Sequence, residues 1–403
     1  MQTTTMVDCV VVGTGAAGAA VALAVAREGL RTIAIGPVVS ADPARDPRST
    51  ALFSGSIAFL RHLGVWRHLE PAAARLVGLR LVDDTGGVLR APEILFRAQE
   101  LGLSEFGYNI ENSSLLQALH ECARASDNLD LAQDEVTALT IADEHADVEL
   151  AHGAHVHARI VVGADGRRSL TRASAAIGTR DWTYPQSAIA TRFRHSRPHG
   201  GISTEFHRSS GPLTTVPLAE DASSLVWVEE PAETRRLMDL PADRFARELE
   251  HRLQGLLGTI CDVSARAAFP LAGLSAARMF GHRVALVGEA AHVLPPIGAQ
   301  GLNLGLRDAA TLAEILGDAL AAGDDPGGEA RLAEYDRRRR ADVVSRTIAV
   351  DLLNRSLILD FVPLHLLRGA ALHMLDAVPW LRRRVMQEGM HPSWQAPRFM
   401  RPA

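Results

Sequence analysis

Residues 7–36 constrain this chain more than any other stretch. Val7-Asp8-Cys9-Val10-Val11-Val12 is a short β-branched run ending at Gly13, which reads as a buried strand. Gly18 to Gly29 reads as an alanine-rich helix stopped by glycine, and Arg31-Thr32-Ile33-Ala34-Ile35 as a second strand. Strand, glycine turn, helix and strand in so short a span form a βαβ unit, the start of a parallel sheet. The turn is Gly13-Thr14-Gly15-Ala16-Ala17-Gly18, a GxGxxG. Its first glycine permits the tight turn, its second lets a diphosphate approach the backbone, and its third allows close helix–strand packing. The helix N-terminus adds N–H donors and partial positive charge. Gly13, Gly15, Ala17 and Gly18 are therefore the expected seat of a dinucleotide. The acid that ordinarily holds the adenosine ribose in such a unit is missing, because the second strand ends Ile35-Gly36-Pro37.

At 403 residues the chain can hold more than one domain, and its composition is that of an ordinary globular protein. A net charge of −5 gives no reason to expect nucleic acid. Cys9, Cys122 and Cys261 are far apart and form no CxxC, so neither disulfides nor a thiolate metal site are expected. A reducing, cytoplasmic setting fits, with membrane contact peripheral at most. The apolar run Val10–Ala26 has no basic segment before it and is broken by glycines, unlike a signal segment.

Further along, Leu79–Leu89 reads as a hairpin with its turn at Asp84-Thr85-Gly86-Gly87, and Asn112 as the cap of a helix to Ala125. Residues 129–162 read as three short strands. Residues 181–275 read as strands of an antiparallel sheet, Val284–Val287 as a buried strand, and Gly301–Leu320 as a helix. The expected architecture is α/β: a Rossmann-like cofactor domain, an inserted antiparallel-sheet substrate domain and a helical C-terminal region. The boundaries read as 1–75, 100–180 and 276–330 for the cofactor domain, 76–99 and 181–275 for the substrate domain, and 331–403 for the rest.

Two further stretches carry chemistry. Gly163-Ala164-Asp165-Gly166-Arg167-Arg168-Ser169 follows a strand with an acid–glycine turn, in which Asp165 either caps a helix or faces a ligand. Gly288 to Asp308 is a glycine-rich loop between a buried strand and a helix N-terminus, suited to a planar polar ring whose carbonyls need N–H donors. Glu289 stands where a carboxylate can reach sugar-alcohol hydroxyls.

Together with Arg48-Ser-Thr-Ala-Leu52, Gly107-Tyr-Asn-Ile-Glu-Asn112 and Gly211-Pro-Leu-Thr-Thr-Val-Pro-Leu218, these stretches resemble the group A flavoprotein aromatic hydroxylases of the para-hydroxybenzoate hydroxylase fold. Within that group the chain is most similar to the ubiquinone-biosynthesis hydroxylases acting on polyprenylated phenols, over roughly residues 6–390. The resemblance implies FAD as cofactor, NAD(P)H and O2 as co-substrates, and transfer of oxygen to a phenol ring through a flavin hydroperoxide. It puts Gly13, Gly15, Ala17 and Gly18 at the FAD diphosphate, and Arg48 and Asn109 on its adenosine–diphosphate side. Asp165 would lie between FAD and the nicotinamide approach, Glu289 at the ribityl chain, and Gly301, Leu302 and Asn303 along the isoalloxazine. Pro296 would fix backbone carbonyls beside the substrate ring. The family usually has Asp where Glu289 stands. The alternatives are a flavin reductase or isoprenoid epoxidase on the same fold, and a non-catalytic lipid-binding accessory subunit.

Other candidates read more blandly. His152, His155 and His157 suit a surface hairpin better than a metal site, and no metal is expected. Arg337–Arg340 reads as a solvated helix face, and His292 as a positioned structural histidine. Trp182, Tyr184, Phe206 and Trp227 suit a core or an aromatic-substrate pocket equally. Phe361–Met390 is both apolar and basic, which suits packing on the cofactor domain, with a peripheral contact to the inner membrane or a ubiquinone-biosynthesis complex as second reading.

Overall fold

The computed structural model describes residues 5–37, 46–86, 92–358, 373–374, 377–390 and 396–401. The chain opens with β1 (Thr5–Val12), α1 (Ala16–Arg27) and β2 (Thr32–Gly36), the βαβ unit the sequence predicts. It continues through β3 (Ser49–Phe53), α2 (Ser54–His62), α3 (Trp66–Leu69), β4 (Ala74–Leu76), β5 (Gly78–Asp83), β6 (Ile94–Arg97), β7 (Gly107–Glu111) and α4 (Asn112–Arg124). Next come β8 (Leu129–Gln133), β9 (Val136–Ile141), β10 (Ala146–Leu150), β11 (His155–Gly163) and α5 (Leu170–Ser174). A second sheet region follows: β12 (Thr179–His195), β13 (Ile202–His207), β14 (Leu213–Pro217), β15 (Ala222–Glu229), α6 (Pro231–Asp239), α7 (Ala242–Arg252), β16 (Ile260–Cys261) and β17 (Ala267–Ala276). The chain closes with β18 (Phe280–Gly281), β19 (Val284–Leu286), β20 (His292–Val293), α8 (Gln300–Ala322), α9 (Glu329–Ile358) and α10 (Pro379–Met390).

Among the described residues the strands form three sheets. The first runs β18-β19-β11-β1-β2-β8, with β9 and β10 beside β11. From β19 to β8 its pairings are parallel. Cys9, Val10 and Val11 are fully buried, as expected of a strand covered on both faces. Residues Gly18–Ala26 of α1 are all buried, with α4 and α8 packed on the helix. Small side chains let three helices and a sheet approach this closely, which accounts for the alanine content.

The second sheet runs β20-β17-β12-β15-β14-β13-β5-β6, with β16 beside β12. Its pairings are antiparallel apart from β13 with β5. Ile189, Phe193, Phe206, Leu213, Leu225 and Trp227 point to one face and bury against α6 and α7. The small third sheet, β3-β7-β4, joins the two larger ones. There Ser49 Oγ meets Ser224 Oγ at 2.6 Å, and Arg192 pairs with Glu111 at 2.5 Å.

Several local expectations need correction. Residues 129–162 hold four strands, and α6 and α7 interrupt what reads as continuous strand pattern. The partner of β5 is β6, beyond Leu89; Gly87 of the expected turn, with residues 88–91, lies outside the described residues. Asn112 is the first residue of α4 rather than its cap, and its Oδ1 accepts from Thr50 Oγ1 at 2.6 Å. Arg337–Arg340 is not a uniformly solvated face: the Arg339 side chain is 2% exposed. Phe206 and Trp227 are core, whereas Tyr184 lies on the opposite face and donates to Asp351 of α9 at 2.5 Å. Of Phe361–Met390, residues 361–372 and 375–376 lie outside the described residues. The α10 part is clasped to the second sheet by Arg382, which pairs with Glu100 at 2.6 Å and lies over the Phe96 ring.

Candidate cofactor and substrate site

The glycine turn between β1 and α1 is shaped by two different demands. Gly13 sits at φ +104°, and a Cβ there would lie 2.3 Å from Ala164 O. A Cβ on Gly18 would lie 1.9 Å from Gly13 O. The protein's own packing therefore requires both glycines. At Gly15, by contrast, a Cβ would meet nothing within 4 Å. α1 starts there with no side-chain cap and no acid in its first turn. Open volume in front of uncapped helix N–H groups is a seat for phosphate. These residues fit the diphosphate of a dinucleotide.

Around the turn the packing is tight. The Ala17 methyl lies 3.2 Å from where a Gly288 Cβ would stand, which brings the first and third stretches together. His120 of α4 reaches Thr14 O at 2.8 Å. A Cβ on Gly36 would lie 2.4 Å from Thr14 Oγ1 and 2.8 Å from Thr14 N. The end of β2 is too close to the turn to carry any side chain, which explains the missing acid.

In the second stretch, Asp165 Oδ2 accepts from Thr171 N at 2.9 Å and Thr171 Oγ1 at 3.0 Å, so it does secure a helix turn. Its Oδ1 is buried with no hydrogen-bond partner among the described residues. Ser169 caps α5. Arg172, which the sequence reading passed over, donates to Arg167 O at 2.9 Å and Ala290 O at 2.8 Å and ties this stretch to the third.

The third stretch holds the outward-facing groups. Gly288–Ala290 is a single 3-10 turn with Glu289 exposed between buried neighbours. Arg48 pairs with Asp46 at 2.7 Å and lies over the Phe269 ring at 5.0 Å. Asp46 raises its guanidinium above the usual value and the Glu289 carboxylate adds to this. Pro296 is exposed, beside buried Pro295. Gly298 and Ala299 are left-handed at φ +64° and +53°, a strained geometry for Ala299 that sits directly before α8. At Gly301 a Cβ would meet nothing within 4 Å, and Leu302 packs on the core.

One expected contact needs correction, and a second residue is only half committed. Asn303 is 1% exposed; its Oδ1 accepts from Phe53 N and Ser56 Oγ, and its Nδ2 donates to Ala51 O and Ala299 O. All four of its hydrogen-bonding positions are used, so its side chain braces the loop instead of lining a ligand. Asn109 is wholly buried; its Nδ2 donates to Pro217 O at 2.8 Å at the junction between sheets, while its Oδ1 has no hydrogen-bond partner among the described residues.

Beneath this loop lies a buried charge network. Asp308 of α8 accepts from Gly288 N at 3.1 Å, His292 Nε2 at 2.6 Å and Arg339 Nε at 2.7 Å. Burial alone would raise its carboxyl, but His292 and Arg339 outweigh that and hold it below the usual range. Arg339 also pairs with Asp342, which binds Arg307 and Arg346, and Arg346 reaches Gln300 at the start of α8. His292 is thus positioned and structural, as read from sequence. His155 and His157 share Asp147 on their hairpin, and no metal-holding group is found among the described residues.

Residues 6–349 match the FAD binding domain family. The chain is 36% identical over 387 residues to ubiquinone hydroxylase UbiL of Rhodospirillum rubrum, covering 95% of this chain and 89% of that protein. It is 30% identical to 3-demethoxyubiquinol 3-hydroxylase of Escherichia coli, over 94% of this chain and 97% of that one. The fold is shared with p-nitrophenol 4-monooxygenase PnpA of Pseudomonas putida, with a TM-score of 0.78 at 21% identity over 95% and 98% of the two chains. The chain therefore belongs to the FAD-binding flavoprotein monooxygenases, with FAD as cofactor and NAD(P)H as co-substrate, in the branch that contains the ubiquinone hydroxylases.

Proposed function

We propose that the protein hydroxylates the aromatic ring of a polyprenylated phenol in ubiquinone biosynthesis, using NAD(P)H and O2. The observation that carries the reading is the second sheet's apolar face. Ala188, Val226, Val228 and Leu271 line it, and Leu79 and Leu81 continue it beneath α10. Ser224 on the same face contacts Ser49 and Asn109 of the small sheet, next to Arg48, which in this reading turns the wall toward the cofactor. An apolar wall opposite a dinucleotide seat suits a ring with a hydrocarbon tail, and the two relatives described above are named as a ubiquinone hydroxylase and a 3-demethoxyubiquinol 3-hydroxylase.

The division of the chain into a discontinuous cofactor domain, an inserted substrate domain and a C-terminal region is part of this reading, supported by the sheet memberships. Bound FAD supplies the redox chemistry, taking electrons from NAD(P)H and activating O2. Gly13, Gly15 and Gly18 would hold its diphosphate, with Ala17 keeping the third stretch against the turn. Arg48 and Glu289 would grip its polar chain, and Gly301 and Leu302 would offer backbone beside its ring. Asp165 Oδ1 would be a spare acceptor for FAD, and Pro296 would border the substrate ring. The apolar wall excludes water from the reacting centre. Purified protein is expected to be yellow, to oxidise NAD(P)H faster with a prenylated phenol present, and to place one atom of 18O2 in a new ring hydroxyl. Absence of the label from the ring would refute hydroxylation.

Peripheral membrane contact belongs to the same proposal. No described helix is long and apolar enough to cross a membrane. α10 presents Trp380, 72% exposed, together with exposed Arg383, Arg384 and Val385. An interfacial aromatic beside cations suits an anionic lipid surface. The protein is expected to co-float with vesicles containing phosphatidylglycerol and to lose that on Trp380→Ser with Arg383→Gln. Failure of the unaltered protein to float would remove the idea.

A further inference from the structure

A buried acid–imidazole pair stands on the apolar wall itself. Residues alternate across the second sheet, so Glu205 and His207 of β13 project to the face opposite Phe206, whose side chain belongs to the core against α6 and α7. In register, Glu205 lies opposite Leu81 of β5 and Thr214 of β14, His207 lies opposite the buried Asp83 of β5, whose Oδ1 accepts from Thr85, and Thr214 lies opposite Val226 of β15. Leu81 packs with the cluster of Ile94, Phe96 and Met386, and Val226 with that of Val228 and Leu271. The pair therefore sits mid-wall, on the same face of the sheet as Ser224.

His207 Nε2–H donates to Glu205 Oε1 at 2.7 Å, and Thr214 Oγ1 donates to Glu205 Oε2 at 3.3 Å. The two side chains are only 6% and 9% exposed. Among the described residues no arginine pairs with Glu205, and His207 Nδ1 has no hydrogen-bond partner. A carboxylate can only accept, so it fixes the imidazole as the Nε2–H tautomer and leaves the Nδ1 lone pair open. Burying such a pair in an apolar wall costs desolvation and returns little stability.

We propose that His207, oriented by Glu205, is the base that ionises the phenol. The inference rests on the hydroxylase reading above. The phenol O–H proton passes to Nδ1, and the imidazolium that forms is stabilised by the Glu205 carboxylate. The ring, now a phenolate, is richer in electrons at its ortho and para carbons. One of these carbons forms a bond to one atom of O2, whose other atom leaves as water with the two electrons supplied by NAD(P)H. The carbon sheds its hydrogen as a proton when aromaticity returns, and His207 gives its own proton back to the ring oxygen. The sum is phenol, O2, NAD(P)H and a proton giving diol, NAD(P)+ and water.

The test uses the flavin-loaded full chain with 2-geranylphenol, comparing His207→Gln and Glu205→Gln with the unaltered protein from pH 7 to 10. Removing a general base lowers the rate by ~10²-fold. His207→Gln is expected to show that fall in kcat at pH 7 with normal flavin content. Its rate should then recover as pH approaches about 10, where a free phenol ionises without help. Glu205→Gln is expected to fall less and recover along the same line. A loss equal at every pH, a loss below threefold, or variants that retain no flavin would show that the pair is structural and overturn the proposal. Unaltered protein that forms no diol while consuming NAD(P)H would instead sink the hydroxylase reading beneath it.

Discussion

Asp308→Asn is expected to destabilise the protein by about 3–5 kcal/mol, the usual cost of removing one partner from a buried ion pair. The carboxylate is fully buried and holds three groups from three elements: the Gly288 N–H, the His292 imidazole and the Arg339 guanidinium. Asparagine keeps the shape but removes the charge, leaving Arg339 buried with Asp342 as its remaining partner. Because Gly288 opens the turn that carries Glu289, flavin retention should fall together with the melting temperature. The contrast with Glu289→Gln is informative. Glu289 is exposed, so that change should weaken flavin binding while leaving the apoprotein's melting temperature within error. An Asp308→Asn apoprotein that melts with the unaltered one would show that the network adds nothing to the fold.

The same carboxyl sets a pH dependence. Asp308 and Asp342 are both held below their unfolded values. A carboxyl depressed in the folded state contributes stability that is complete above its unfolded pKa, about 4, and is lost as pH falls through the folded value. Acid should therefore weaken the grip of α9 on the cofactor loop below about pH 4. Asp308→Asn should flatten part of that slope.

The βαβ unit was legible because period, glycine spacing and breaker residues all agree over residues 7–36. α8 was legible within two residues for the same reason. α6 and α7 were not, since each is short and its apolar residues, such as Phe245 and Leu249, resemble those of the flanking strands. Arg339 shows the limit differently. A run of four arginines reads as solvated, yet Leu332, Tyr335, Arg339 and Val343 recur at helical spacing and all are buried. The stripe was present in the sequence, but its meaning depends on Asp308, 31 residues away, turning inward to meet it. The Asn303 side chain departs from expectation for a related reason. Motif position says that a polar side chain is needed, whereas only the fold tells whether a ligand or another loop receives it. The missing acid at Gly36 is the opposite case, a departure from the motif that goes with the close approach of Thr14.

Gly15→Ala and Gly18→Ala should fail in separate ways, although the motif treats them alike. At Gly18 the new methyl would stand 1.9 Å from a backbone oxygen, so the turn or the helix must move. Overpacking of this kind costs about 1–3 kcal/mol, and both apoprotein stability and flavin binding should drop. At Gly15 the backbone lies at φ −64° and ψ 177°, which alanine adopts freely, and the methyl meets no protein atom within 4 Å. The cost to the fold is then limited to replacing glycine at a helix N-cap, below about 1 kcal/mol. The methyl does, however, enter the volume in front of the α1 N–H groups. If that volume seats the diphosphate, flavin affinity should fall by about 10²-fold or more, equivalent to about 3 kcal/mol. Thermal melts of the two apoproteins and flavin titrations followed by fluorescence separate these effects. Gly15→Ala protein that takes up flavin with unaltered affinity would place the diphosphate elsewhere, and would leave the open volume at the head of α1 without a ligand.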